Sequence, residues 1–290
     1  MQPRFHRQKG VAKSLRRIAV AEIDTALAAI ADEKADEADK IHDVRQQLKR
    51  LRALIRLPRK HLDGYREENA AFRDLARRLA RTRDADVLTE TFDDVTGEAG
   101  VTAPRLRAEL MASVEKPGVA SRQSLLEGEI ADGLRKARGR AAQWRFDRGG
   151  FPLIGKGLER IYRDMRDTEA HAAAQPTPEN FHEWRKQTKY HANQLALLRA
   201  VAPKIFNSYC KIADELGTTL GDHHDLDALS AALHRLGDTG TNKRSRLVKA
   251  VRARNRKLER RAFRLGDELT AERPADFFRR IEAGWHAWRA

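Results

Sequence analysis

Apolar residues recur at intervals of three and four along almost the whole chain, and this spacing limits the folds that the chain can adopt. Two such series are Leu15, Ile18, Ile23, Leu27 and Ile30, and Ile41, Val44, Leu48, Leu51 and Ile55. Residues at this spacing share one face of an α-helix, whereas the alternation typical of strands is nowhere sustained. The sequence therefore predicts an all-α fold.

Glycine and proline cluster where the helical periodicity stops, and these positions mark the predicted helix ends. The breaks lie at 32–39, 58–64, 96–104, 147–155, 174–178, 203, 237–241 and 273–274. The stretches between them predict about eight helices, followed by a short extra helix at the C-terminus.

Three segments of the first half reappear in the same order in the second half, at offsets of about 140 residues. The pairs are IHDVRQQLK at 41–49 with FHEWRKQTK at 181–189, LARTRDADVL at 79–88 with LGDHHDLDAL at 220–229, and SLRRI at 14–18 with GLERI at 157–161. Three ordered matches at nearly one offset indicate an internal duplication. We therefore expect two four-helix bundles, residues 1–148 and 149–290, joined near 148–155 in one compact domain.

The charge of the chain points to a polyanionic partner. Lys and Arg number 57 against 42 Asp and Glu, which gives a formal net charge of +15. Arginine predominates among the cations, and its forked guanidinium suits phosphate oxygens. Aromatic residues are only 6% of the chain, too few to favour stacking platforms for single-stranded nucleic acid.

Several observations concern the compartment. The N-terminal residues are too charged for a secretory signal, and no apolar stretch reaches the roughly 18 residues of a spanning helix. Cys210 is the only cysteine, which excludes intrachain disulfides and fits a reducing compartment. We therefore expect a cytoplasmic protein without membrane insertion. The sequence indicates no oligomeric state.

One predicted helix carries a column of cations beside its apolar stripe. On a helix of 3.6 residues per turn its members fall within an arc of roughly 80° that contains no acidic residue. They are His42, Arg45, Lys49, Arg52 and Arg56. A solvated face usually mixes both signs of charge, so this column favours a binding role over the solvated face that a basic run alone would suggest.

The second half repeats this column. His182, Arg185 and Lys189 match its first three members, and Lys186 lies close enough to join them. The preceding helix supplies one further arginine in each half, Arg17 in the first and Arg160 in the second. In the second half Arg163 and Arg166 continue this set. If the helices pack antiparallel, the columns face a common groove that would hold a linear polyanion by charge-assisted hydrogen bonds.

Two acidic pairs, Asp84 with Asp86 and Asp225 with Asp227, occupy matching places in the two halves. Paired carboxylates beside a histidine such as His224 could serve acid–base chemistry or bind a hard metal ion, which would suit a metal-dependent phosphohydrolase. We favour the alternative that they orient arginines of the anion site from behind. The supported arginines would be Arg83, Arg45 or Arg185, with His224 in the same supporting layer.

Two apparent motifs are rejected. HEWRK at 182–186 has lysine where H-E-x-x-H requires histidine, so no zinc site is expected. Gly150, Gly155 and Lys156 fit a P-loop spacing, but Gly157 replaces its Ser/Thr and the intervening residues are apolar. Lys156 could still contact phosphate near a helix N-terminus. The basic run at 252–264 is interpreted as a solvated face, with attraction of polyanions as the alternative.

The two His-x-x-Arg-x-x-x-Lys helices, the RDAD and HHDLD segments, and GLERIYRDMRD before HEWRK together resemble the CHAD (conserved histidine α-helical domain) family. The resemblance runs over nearly the whole chain and implies two four-helix bundles related by pseudo-twofold symmetry, around a basic channel that binds inorganic polyphosphate without cleaving it. By position it assigns polyphosphate contacts to Arg17, His42, Arg45, Lys49, Arg52, Arg56, Arg160, His182, Arg185, Lys186 and Lys189.

The chain departs from the family pattern after Lys189. Tyr190, His191, Ala192 and Asn193 follow, so Ala192 stands where Arg52 stands in the first half. The second half-site is therefore expected to be weaker. No segment encodes the triphosphate-processing domain that often accompanies the family, so the chain is interpreted as a stand-alone member.

The leading hypothesis is a non-enzymatic protein that binds inorganic polyphosphate, needs no cofactor or metal, and associates with polyphosphate granules. A nucleic-acid-binding protein is one alternative, favoured by charge but without a recognisable reading element. The other is the metal-dependent phosphohydrolase described above.

Overall fold

The computed structural model describes residues 4–113, 119–236 and 242–290, with side chains described throughout these ranges except at 80–85, 119–120 and 204–205. Within these ranges the chain folds into α-helices and forms no strand, which confirms the predicted all-α class. The one bridge of β type in the described part pairs Leu62 with Phe146 across two loops.

Four helical segments of the first half pack in a ring. α1 packs on α2 and on α6, α2 packs on α3, and α3 returns to α6. A π-helical turn (Leu126–Ile130) joins α5 to α6 without a break. The bounds are α1 Val11–Ala31, α2 Glu37–Arg56, α3 Tyr65–Glu98, α5 Val119–Leu125 and α6 Ala131–Ala142.

The second half has a comparable ring of four helices. α7 packs on α8, α8 on α9, α9 on α10, and α10 on α7, while α11 lies against α7 as the additional C-terminal helix. The bounds are α7 Pro152–Ala174, α8 Pro178–Leu198, α9 Pro203–Arg235, α10 Asn242–Leu269 and α11 Pro274–Arg289.

Local sequence explains where several helices begin. The Asp36 carboxylate accepts a hydrogen bond from the backbone N–H of Asp39 at 2.8 Å and caps α2. The Thr177 hydroxyl caps α8 in the same way, through Asn180. Proline opens α7, α8, α9 and α11, where its missing N–H costs no helical hydrogen bond. The break predicted at 237–241 lies outside the described residues.

The region between residues 104 and 147 differs from the sequence prediction of one helix. A separate short helix, α4 (Pro104–Ala112), precedes α5. Leu106 and Leu110 of α4 are buried in a small second core that covers the far ends of α3 and α9 and the start of α10. Leu134 of α6 is buried in the main core instead. The apolar residues of α4 and α6 therefore serve two separate cores.

The two halves meet where α2 crosses α8. The side-chain amide of Gln194 donates to the backbone carbonyl of Ala53 at 3.1 Å, and Ala53, Ile161 and Tyr190 form a small apolar cluster at the crossing. Ala53 and Gln194 are separated by 141 residues, within the range of the repeat offsets. The duplication itself, and the division at residue 148, stay predictions.

Candidate anion-binding site

A cavity of about 460 Å³ opens at the junction of α2, α3, α7 and α8. Seven of its described lining residues are cations, and one is acidic. The cations are Arg52, Arg56, Arg59, Arg66, Arg73, Arg160 and Lys186, and the acid is Asp164. Tyr65, Asn69, Gln187 and Tyr190 complete its polar lining. This composition is suited to an anion.

Tyr190 holds the arginines of α2 at the centre of this cavity. The Arg56 guanidinium carbon lies 3.9 Å from the centroid of the Tyr190 ring, and that of Arg52 lies 5.8 Å from it. Arg56 also donates to the Arg52 backbone carbonyl at 2.6 Å. These contacts fix the guanidinium planes by cation–π attraction and a backbone hydrogen bond, without involving a carboxylate.

α7 adds a third arginine to this pair. Arg160 donates to the backbone carbonyl of Arg56 at 3.3 Å, across the interface between the two halves. Burial lowers the pKa of Arg56 and of Arg160 below their ordinary values, since a charged group loses hydration there. Guanidinium keeps its proton in proteins, so the burial leaves charge that is poorly hydrated.

Nearby acids neutralise only part of this charge. Asp164 lies 4.0 Å from Arg160, measured between a carboxylate oxygen and Nε. Outside the cavity lining, Glu183 pairs with Lys186 at 2.7 Å and Asp74 pairs with Arg73 at 2.9 Å. Positive charge therefore remains in excess at the cavity.

A second group of predicted cations lies on the adjacent face of α8, against α9. The side chains of Arg185 and Lys189 pass over Gly221 and Gly217 of α9, and a Cβ added at Gly217 would lie 3.0 Å from the Lys189 Nζ. Burial lowers the pKa of both cations, while Asp222 partly opposes the shift. The small residues of α9 thus make room for these two side chains.

Two histidines extend this second group. The rings of His182 and His224 lie 4.9 Å apart, measured between centroids. Burial lowers the pKa of His224 to about 4, and the neighbouring charge of Arg185 acts in the same direction. The same two causes lower the pKa of His182. Both imidazoles are therefore neutral near pH 7 in the absence of an anion.

The remaining predicted cations lie elsewhere. His42, Arg45 and Lys49 are half-buried on α2, N-terminal to Arg52, and the described cavity lining does not include them. Arg17 donates to the backbone carbonyl of Arg4 in the N-terminal segment. The structure therefore does not bring all the predicted cations into one cavity.

The two further arginines of α7 behave differently from each other. Arg163 is exposed and pairs with Glu159 at 3.1 Å. Arg166 donates to the backbone carbonyls of Thr270 and Glu272, in the connection from α10 to α11. One nitrogen of the Arg166 guanidinium therefore holds that connection, and its place in the binding column stays a prediction.

The predicted supporting acids have several partners. Asp86 pairs with Arg122 at 3.1 Å, a residue that the sequence did not suggest. Asp225 lies near Arg185 and opposes the fall of its pKa, while Asp227 accepts a hydrogen bond from Asn255 at 2.7 Å. Arg83 and Asp84 lie outside the described side chains. Among the side chains that are described, no three potential ligands lie together in a way that would hold a metal ion.

Sequence reasoning missed the contribution of α3 and of Tyr190. Arg66, Asn69 and Arg73 follow the same spacing of three and four residues as the histidine columns, and this signal could have found them. By sequence Tyr190 is only a departure from the family pattern, whereas in the structure it is the ring against which Arg56 stacks. Ala192, expected as a gap in the column, is only 6% exposed and belongs to the main core.

In the described ranges, no helix combines the length and the apolar character that crossing a membrane requires. No curated protein sequence matches the chain. In fold, the chain is similar to the CHAD domain from the plant Ricinus communis, known from a crystal structure. The two share a TM-score of 0.58 and 18% sequence identity, over 99% of this chain and 95% of that chain. A model of the CHAD domain family matches residues 17–234. This chain therefore belongs to the CHAD domain family.

Proposed function

We propose that the protein binds inorganic polyphosphate in the cavity between α2, α3, α7 and α8, and does not cleave it. The observation that carries the proposal is the set of half-buried arginines, Arg52, Arg56 and Arg160, held by Tyr190 and by backbone carbonyls. A buried cation without a matching acid is costly. Asp164, beside Arg160, is the one acid in the described lining, so phosphate oxygens would balance the rest of this charge through charge-assisted hydrogen bonds.

A polymer suits this arrangement better than a single phosphate ion. The cations lie in the cavity, along the face of α8 that carries Arg185 and Lys189, and on the N-terminal turns of α2. Each group offers only a few ion pairs. Linking several phosphoryl groups in one chain converts weak contacts into a strong combined affinity.

Binding without turnover agrees with the chemistry of the cavity. Its described lining supplies guanidinium, ammonium, phenol and amide groups, together with the carboxylate of Asp164 beside Arg160. Guanidinium groups stabilise phosphate charge in the ground state as well as in a transition state, so they give affinity without requiring a reaction. The phosphohydrolase based on Asp84, Asp86, Asp225 and Asp227 is the competing outcome of the experiment.

The test is a titration with orthophosphate, triphosphate and long-chain polyphosphate at one ionic strength, with and without Mg²⁺ or Mn²⁺. We expect affinity to rise steeply with chain length, to require no metal, and to be accompanied by no phosphate release. Equal affinity across the series would overturn an extended site. Metal-dependent phosphate release that disappears in the Asp84→Asn, Asp225→Asn double variant would establish the hydrolase instead.

A competition experiment tests the nucleic-acid-binding alternative. Duplex DNA at equal phosphate concentration should displace long-chain polyphosphate poorly, because a stiff duplex cannot enter a cavity formed by recessed arginines. Equal competition would favour the nucleic-acid-binding alternative. If polyphosphate is the ligand, the protein should also concentrate on cytoplasmic polyphosphate granules, which a fluorescent fusion would reveal.

A further inference from the structure

A second, smaller cavity adjoins the first and shares Arg59 and Arg160 with it. It has a volume of about 250 Å³ and lies between the end of α2, the loop that follows α2, and the first turns of α7. At roughly 30 Å³ per water molecule this is space for several waters, and hence for a phosphoryl group or two. Its lining consists of Leu57, Arg59, Lys60, His61, Lys156, Gly157, Glu159, Arg160 and Arg163.

Cations are concentrated in this small volume. Arg59, Lys60, Lys156, Arg160 and Arg163 face a single acidic residue in the lining, Glu159. Glu159 accepts from Lys156 at 2.9 Å and from Arg163 at 3.1 Å, so one carboxylate positions two cations. The net positive charge of this lining is therefore larger than the single negative charge of one internal phosphate could balance.

The inner side of the cavity is closed by the backbone. Gly157 of α7 lies directly against the end of α2, so that an added Cβ would clash with the Leu57 carbonyl oxygen and lie 2.6 Å from that of Arg56. Helices in such contact leave no passage between them. A chain that enters from the larger cavity past Arg59 and Arg160 cannot continue between α2 and α7, so its end can lie here among the exposed side chains of Lys60, Lys156 and Arg163.

The end of a polyphosphate chain differs chemically from its interior. An internal phosphate carries one negative charge, whereas a terminal phosphate has a second ionisation near pH 6 and carries about −1.5 to −2 at pH 7. It also presents an additional unsubstituted oxygen as a hydrogen-bond acceptor. We propose that the smaller cavity binds the terminal phosphate of a chain whose body lies in the larger one. This inference rests on the proposed function.

The experiment combines two ligands with two variants. The ligands are polyphosphate of one defined length with free ends, and the same chain with both ends capped as alkyl phosphoramidates, which removes the second ionisation and adds bulk. The variants are Lys60→Ala with Lys156→Ala in the cavity, and Lys249→Ala with Lys257→Ala as a matched pair of exposed lysines on α10. Circular dichroism checks that helix content is unchanged.

At pH 8 the wild type should bind the free-ended chain at least about fivefold more tightly than the capped chain, the size expected from one or two charge-assisted hydrogen bonds. The cavity variant should lose this preference while its affinity for the capped chain changes by less than about twofold. The α10 variant should keep the preference. Lowering the pH to 5 should reduce the wild-type preference, because the terminal phosphate gains a proton.

A wild type that does not distinguish the two ligands would overturn the inference, as would a cavity variant that loses equal affinity for both. A preference unchanged between pH 8 and pH 5 would also contradict it, independently of any variant. Absence of binding to either ligand would instead refute the proposed function. The two failures are therefore distinguishable.

Discussion

Glu169, on α7, is an acidic residue whose pKa is changed by the residues packed around it. It is 8% exposed, and burial raises its pKa to about 7. The Thr270 hydroxyl lies 2.9 Å from Glu169 Oε2 and 2.9 Å from the Gly266 carbonyl oxygen. By donating to Glu169 this hydroxyl partly offsets the rise in its pKa, but burial is the larger effect.

The first prediction follows from this raised pKa. In the unfolded chain Glu169 ionises near pH 4.5, so the folded state binds more protons between pH 4.5 and about 7 and its stability falls as the pH rises through this window. Glu169→Gln keeps the shape and removes the titration. The variant should therefore gain stability relative to wild type from pH 4.5 to 7, by on the order of 3 kcal/mol, and no further above pH 7.

Urea unfolding at pH 5, 6, 7 and 8 measures this difference. The burial of His191 has the opposite effect on the pH dependence of stability, which can be compared with that of Glu169. It is fully buried, which lowers its pKa to about 3, so its contribution to stability is lost as the pH falls below about 6.5. Parallel stability profiles for wild type and Glu169→Gln would show that Glu169 titrates normally in the folded protein.

At the scale of elements, the positions of α2 and α7 depend on one glycine. Gly157 allows the two helices to touch, and this contact carries Arg56 and Arg160 into the same cavity. Gly139 does not share this role. A Cβ added at Gly139 of α6 would meet nothing within 4 Å.

The second prediction compares alanine at these two glycines. Gly157→Ala should destabilise the protein by about 1–3 kcal/mol or more, because the added methyl group forces α7 away from α2. Gly139→Ala should stabilise it by about 0.5–1 kcal/mol, because alanine loses less conformational entropy than glycine in a helix. Guanidinium unfolding measures both. Equal effects of the two substitutions would contradict the close helix contact.

The α10 helix shows how a basic segment differs from a basic site. Arg256 and Arg260 are exposed on its outward face, and neither lines the larger or the smaller cavity. The family match ends at residue 234, before α10 begins. This helix therefore offers matched controls for charge, in contrast to Arg280, which pairs with Glu272 at 2.6 Å.

At the scale of the whole molecule, the third prediction separates an organised site from net charge. Arg52→Glu with Arg56→Glu should reduce the affinity for long-chain polyphosphate by at least about tenfold and make its salt dependence shallower, because fewer ions are displaced. Arg45→Glu with Lys49→Glu should also weaken binding, and Arg185→Glu with Lys189→Glu somewhat less, because Asp222 already balances part of the charge of Arg185 and Lys189. Helix content should stay near the wild-type value, as measured by circular dichroism.

The control removes the same charge from α10. Arg256→Glu with Arg260→Glu should change the affinity by less than about twofold at physiological salt, since both side chains are exposed, line neither cavity, and are screened by salt. If this control weakens binding as much as the cavity variants do, the net charge of +15 explains the attraction and the assigned site fails.

Much of the molecule follows from local sequence. The spacing of Leu15, Ile18 and Ile23 requires a helix with one buried face whatever its partner is, and all three are buried in α1. Proline and capping residues set where helices begin, because they act within one turn. The cationic faces of α2 and α8 could also be predicted from the sequence, because residues three, four and seven apart on a helix share a face.

The tertiary structure decided which of these cations meet. Arg52 and Lys186 lie 134 positions apart on two different helices, yet they line one cavity because α2 crosses α8 at Ala53 and Gln194. The same crossing brings Tyr190 under Arg56, and the contact at Gly157 adds Arg160. Helix crossing depends on side-chain shapes and on close backbone approach between residues distant in sequence. A periodicity confined to one helix carries no information about that geometry.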